Sequence, residues 1–151
     1  MKLVQLSLAV LIVFSTASFS PEYYCRRSGI KGQVYMEWGN RMPAPDMPLP
    51  SPKPMQTTLY IYELTNITDV QREGVSAFYK HISTALVKQV QTDSKGRFKV
   101  KLKPGLYSLF VKKGDLYYSS QFDEKNNIHP VEVKQGKMAE VSFKANYDAV
   151  Y

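Results

Sequence analysis

Residues 97–102, RFKVKL, alternate strictly between charged and apolar side chains. Successive side chains of an extended strand point to opposite faces. This spacing therefore predicts a half-buried β-strand, with Phe98, Val100 and Leu102 facing inward and Arg97, Lys99 and Lys101 facing water. Residues 30–37 show the same period, with Ile30, Val34 and Met36 on one side, and form the first predicted strand. Residues 57–63, TTLYIYE, are dense in β-formers. Residues 106–112, LYSLFVK, are apolar at nearly every position, which predicts a central strand. Residues 86–92 and 116–122 add two more strands. Residues 130–134 and 138–145 read as a closing hairpin across Gln135-Gly136.

The punctuation between these runs is specific. Asp93-Ser94-Lys95-Gly96 predicts a tight turn in which Gly96 takes a positive φ without steric cost. Pro104-Gly105 and Gly114-Asp115 are further turns, and residues 123–127 form a polar loop. Residues 39–56 hold six of the nine prolines. Proline fixes φ and donates no hydrogen bond, so this stretch is a stiff extended loop, not a central strand or a helix. A proline-motif ligand is the functional alternative for it. Residues 64–84 are long for a hairpin connection and predict an insertion with structure of its own. Ile67, Val70, Phe78 and Ile82 are expected to line one face of short helical turns. Many short strands with turn signals at such spacing predict an all-β fold, a Greek-key β-sandwich of about seven strands.

The N-terminus changes the picture of compartment. Lys2 precedes an apolar run over residues 3–14, broken only by Gln5 and Ser7, and the small residues Ser15-Thr16-Ala17 follow. That is the layout of a secretory signal peptide, with cleavage expected after Ala17. The run is short for a membrane-spanning helix, and no second run of spanning length follows, so no transmembrane helix is expected in the mature chain. The expected organisation is signal peptide 1–17, tail 18–29, sandwich 30–145 and C-terminal tail 146–151. The expected location is outside the cytoplasm: periplasmic, cell-surface or secreted. Cys25 is the only cysteine, so no internal disulfide can form, and the bulky Tyr23 and Tyr24 before it argue against lipidation. The core must do the stabilising, and eleven Tyr, seven Phe and one Trp supply large side chains for it.

The formal net charge is +7. Such charge suits nucleic acid, acidic glycans or an anionic surface, and it also serves plain solubility. The lysines alternate with apolar residues along predicted strands rather than clustering, which favours solubility and gives no reason to expect a nucleic-acid partner.

Three segments carry a family resemblance: Gly32-x-Val34 in the first strand, Thr92-Asp93-Ser94-Lys95-Gly96-Arg97-Phe98 at the central hairpin, and Lys103-Pro104-Gly105-Leu106-Tyr107-Ser108-Leu109. Over residues 32–145 the chain resembles the carboxypeptidase regulatory-like domain, a transthyretin-like sandwich. The proline-rich loop and the 64–84 insertion depart from the short connections of that pattern. The resemblance implies a non-catalytic accessory or interaction module of exported, often cell-envelope, bacterial proteins. It implies no ligand. The transthyretin-like purine-pathway hydrolases end in Tyr-Arg-Gly-Ser, and this chain ends Asn146-Tyr147-Asp148-Ala149-Val150-Tyr151.

Candidate chemistry is sparse. His81 and His129 stand alone, without histidine or cysteine at zinc spacing. No nucleophile elbow, Cys–His pair or phosphate loop appears, so no enzymatic activity, metal or cofactor is expected. Residues 123–127 match no calcium-loop spacing, and Asn66-Ile67-Thr68 matches a glycosylation triplet. Aromatic residues are the better candidates. Tyr60 and Tyr62 alternate with Leu59 and Ile61, so one pair faces away from the core, and only one of Tyr117 and Tyr118 can face in. Trp38 stands where the first strand meets the proline-rich loop. Trp38, Tyr117 and Tyr118 are the candidate binding residues, for an unknown protein or glycan partner in the cell envelope. A protein-interaction or structural module is the first reading and a carbohydrate-binding module the second. An aromatic row on a flat sheet face favours sugar; aromatics among lysines beside an open strand edge favour protein.

Overall fold

A computed structural model of the chain describes residues 28–42 and 48–150. The predicted signal peptide, the tail through residue 27 with Cys25, and residues 43–47 of the proline-rich stretch lie outside these residues. The described chain forms eleven strands and one turn of 3-10 helix. They are β1 (Gly29–Asn40), β2 (Lys53–Pro54), β3 (Thr58–Glu63), the 3-10 turn (Ile67–Asp69), β4 (Val70–Arg72), β5 (Phe78–Ile82) and β6 (Leu86–Gln91). β7 (Arg97–Lys101), β8 (Gly105–Lys113), β9 (Leu116–Tyr118), β10 (Pro130–Val133) and β11 (Met138–Val150) follow.

The strands form two sheets, and the fold is an all-β sandwich. In the four-stranded sheet β1 lies between β11, which it pairs in parallel, and β7 and β2, which share its other side in antiparallel register. The seven-stranded sheet runs β4-β5-β9-β8-β3-β6, with β10 also paired to β8. Ile30, Val34, Phe98, Val100, Phe143 and Ala145 from the first sheet meet Leu59, Ile61, Leu109, Val111, Val131 and Val133 from the second in one core. The RFKVKL alternation holds: Phe98, Val100 and Leu102 are buried, and Arg97, Lys99 and Lys101 are exposed.

The motif residues have local structural work. Asp93 accepts from the backbone N–H groups of Lys95 at 2.9 Å and Arg97 at 2.8 Å, so one carboxylate closes the turn between β6 and β7. The hydrogen bonds from the Arg97 backbone hold that carboxyl below the ordinary carboxylate range. Gly96 has φ 72°, and a Cβ there would stand 2.3 Å from the carbonyl oxygen of Val34, so this position requires glycine. The Thr92 hydroxyl donates toward the carbonyls of Met55 and Thr57 and accepts from the Thr57 N–H, which ties the return of the proline-rich loop to the hairpin. Tyr107 donates its hydroxyl to the Lys103 carbonyl at 2.9 Å and pins the Pro104-Gly105 turn.

Four expectations are corrected. The strands number eleven rather than about seven, because the insertion and the proline-rich loop add short ones. Residues 64–84 form one 3-10 turn and then the β4/β5 hairpin, not a set of helical turns. β10 and β11 do not pair as a hairpin: β10 joins β8, β11 joins β1, and the turn at Gly136 carries the chain from one sheet to the other. β11 also runs on to Val150, past the expected boundary at residue 145, and Tyr147 packs there against Phe78 and Tyr118.

The insertion covers part of the second sheet's outer face. Tyr62, Tyr79, Ile82, Phe110 and Ile128 are buried together there, with Tyr60, Ile67, Val70 and Tyr117 packed against them. β8 therefore has both faces buried over its middle, as its unbroken apolar run predicts.

Candidate interaction surfaces

The three candidate aromatics do not form one site. Tyr118 is 3% exposed in the main core, and its hydroxyl donates to Asn146 Oδ1. It is a core residue, so its candidacy as a surface ligand is withdrawn. Tyr117 points the other way, onto the outer face of the second sheet, and is half-buried. Trp38 belongs to the first sheet and is 39% exposed. Its Nε1–H donates to the Ser51 carbonyl at 3.3 Å and Lys53 Nζ stands 4.1 Å over its ring, so Trp38 supports the proline-rich loop.

Around Tyr117 the aromatic rings stand edge-to-face. Tyr60 and Tyr117 are 5.4 Å apart at 90°, and Tyr62 and Tyr117 are 5.8 Å apart at 90°. The Tyr62 hydroxyl donates to the Tyr117 hydroxyl at 3.0 Å, and burial pushes the Tyr62 phenol above its usual value. Lys112 Nζ lies 4.6 Å from the Tyr117 ring and 5.3 Å from that of Tyr60. Perpendicular rings with a lysine over them offer no flat platform on which a sugar ring can stack.

Beside this patch the second sheet ends at β6, which pairs β3 on one side and, among the described residues, no strand on the other. Leu86, Val87, Lys88, Gln89 and Gln91 are all exposed. The N–H of Thr92 donates to Thr57 of the adjoining strand segment at 2.8 Å. N–H groups alternate in direction along a strand, so those of Gln91 and Gln89 point to the open side. The outer edge of β6 is a template open to a further strand, with two exposed apolar side chains.

The other sequence candidates are occupied by structure. Asn66 caps the 3-10 turn, accepts from Thr68 N–H, and donates its amide to the Lys125 carbonyl at 2.8 Å, so the glycosylation triplet is a capping motif in this fold. Asp123 Oδ1 accepts from Lys125 N–H and Asn127 N–H, and Oδ2 accepts from the Asn127 amide. Those bonds, that from the Asn127 side chain foremost, hold its carboxyl low and consume the oxygens that a calcium ion needs. Among the described residues no group of three or more His, Cys, Asp or Glu side chains is placed to hold a metal. His81 lies on β5, exposed. His129 is 5% exposed with its ring stacked on Phe143 at 4.8 Å, and burial pushes its imidazole down to about 4.

No protein-family model matches this chain, and no curated protein does. The chain's own geometry therefore carries the functional reading. Among the described residues no helix is long and apolar enough to cross a membrane.

One surface escaped sequence reasoning. The basic residues that alternate along separate strands gather on the outer face of the first sheet. Lys31 on β1 stands directly opposite Lys99 on β7, and Gln33 opposite Arg97. On the other side Lys31 faces Glu140 and Tyr35 faces Lys144. Alternation within each strand was the signal available. The register that lines the strands up is not local.

Proposed function

We propose that this chain is an exported, non-catalytic β-sandwich module that binds a protein partner of the cell envelope by strand addition at β6. The observation that carries the reading is the open β6 edge, with its outward N–H groups at Gln89 and Gln91 and its exposed Leu86 and Val87. An added strand takes affinity from main-chain hydrogen bonds and specificity from alternate side chains. The edge-to-face packing around Tyr117 weighs against the carbohydrate reading, because the rings lack a shared plane. The resemblance to an accessory domain points to the same non-catalytic role.

The test uses two substitutions at one position. Gln89→Pro removes an outward N–H and leaves the bonds to β3 in place; Gln89→Lys changes the side chain and keeps the N–H. Proteins cross-linked to the chain in intact envelopes are expected with wild type and Gln89→Lys and lost with Gln89→Pro, all three having the same melting temperature. Retention by Gln89→Pro would overturn strand addition. The export reading predicts a mature chain beginning at Ser18, and N-terminal sequencing that finds Met1 would remove it.

A further inference from the structure

The outer face of the first sheet is a basic surface built across three strands. Arg97, Lys99 and Lys101 are exposed on β7 at alternate positions, so their Cα atoms recur at roughly 7 Å along the strand. Lys31 adds a fourth cation beside Lys99, and Lys144 a fifth beyond Tyr35. Three acids stand beside these cations, and each is engaged. Asp93 holds Arg97 Nε at 2.8 Å, Glu140 lies 3.6 Å from Lys31, and Glu37 lies 3.9 Å from Lys144 and 3.4 Å from Arg41. Among the described residues Lys99 and Lys101 enter no ion pair. Lys31 and Lys99 stand directly opposite each other, an arrangement of like charges that is destabilising across a strand pair.

Between the flanking cations runs a shallow groove of about 590 Å³ whose lining includes Lys31, Gln33, Arg97, Lys99 and Ser142, with one acid, Glu140, at its β11 side. Within it Gln33 donates to the Lys95 carbonyl at 2.6 Å and accepts from the Tyr35 hydroxyl at 2.5 Å. We infer that this face binds an acidic polysaccharide laid along β7. The cations match its carboxylates or sulfates, and the exposed Ser142 hydroxyl at the groove matches its sugar hydroxyls. The chemistry disfavours two other polyanionic partners. Single-stranded nucleic acid needs exposed rings for base stacking, and the one ring here, Tyr35, is half-buried with its hydroxyl bonded. Insertion into a lipid surface takes apolar side chains, and the outward positions of β7 are all cationic, which leaves a bilayer only the electrostatic part of its attraction. The site lies on the sheet opposite to β6 and is independent of strand addition.

The test is direct binding of the whole mature chain to heparin and to polygalacturonate. Uncharged dextran, an oligothymidylate and phosphatidylglycerol vesicles serve as comparison probes. Both acidic polysaccharides are expected to bind, with affinity falling as salt rises. The triple variant Lys31→Ser/Lys99→Ser/Lys101→Ser is expected to bind at least about 30-fold more weakly, with an unchanged melting temperature. A second triple variant, Lys88→Ser/Lys112→Ser/Lys125→Ser, removes the same charge from other surfaces and is expected to stay within about threefold of wild type. Equal loss in both variants would reduce the effect to net charge and overturn the site. Tighter binding of the oligonucleotide or the vesicles than of either polysaccharide would overturn the ligand class, as would failure to bind either polysaccharide.

Discussion

The two sheets present outer faces of opposite character. On the first sheet, alternate positions of β7 are exposed cations, and the strand buries one face only. On the second, Phe110 is as buried as the core residues Leu109 and Val111 on either side of it, because Ile67, Val70 and Ile128 pack in one cluster with it. An antiparallel ladder tolerates one wet face; a strand apolar on both faces needs a third layer. The 3-10 turn with Ile67 and the segment holding Ile128 supply that cover, while β4 and β5 of the same insertion extend the sheet itself.

The largest test of this contrast is Phe110→Ala. It is expected to cost about 3–5 kcal/mol, as much as Phe98→Ala on the side facing the other sheet. Urea unfolding checks it, and a cost near zero would show that the second sheet's outer face is solvated. The next concerns His129, whose buried ring has its pKa lowered from 6.5 to about 4. Between those values the unfolded chain binds a proton that the native state refuses. This contribution is complete above about pH 6.5 and is lost as pH falls toward 4. The loss between pH 7 and pH 4 is about 3 kcal/mol, and His129→Phe should flatten that part of the stability–pH curve. A variant that follows the wild-type curve would assign the acid sensitivity to carboxylates. The smallest effect belongs to the charged face. Lys99→Ala should stay within about 0.5 kcal/mol of wild type. A larger cost would mean that the cations hold the sheet together.

What was legible in the chain follows the range of the signal. The RFKVKL strand, the Asp93–Gly96 turn and the doubly buried β8 are written in consecutive residues, and each stands where its local pattern puts it. The fate of residues 130–145 is not local. A Gln-Gly turn serves a hairpin or a crossing between sheets equally well, and the choice rests on whether β8 and β1 have open edges for β10 and β11. Tyr117 and Tyr118 show the same limit. Alternation says that they oppose each other, and only the pairing of β9 between β8 and β5 decides which one the core receives. Trp38 was correctly read as standing at the edge of the proline-rich loop, and its ring proves to be a support for that loop.

The parallel pairing of β1 with β11 has a kinetic consequence. The register partners Gly29 and Met138 stand at opposite ends of the described domain, and every other neighbour of β1 comes from residues after the proline-rich loop begins. A chain emerging N-terminus first has its earliest strand waiting for its latest. This raises contact order, which places folding toward the slow, millisecond-to-second end of the range for small domains. Until β11 arrives, Ile30 and Val34 lack Phe143 and Ala145 as neighbours in their own sheet, and the whole β11 side of β1 stands open to any strand that reaches it first.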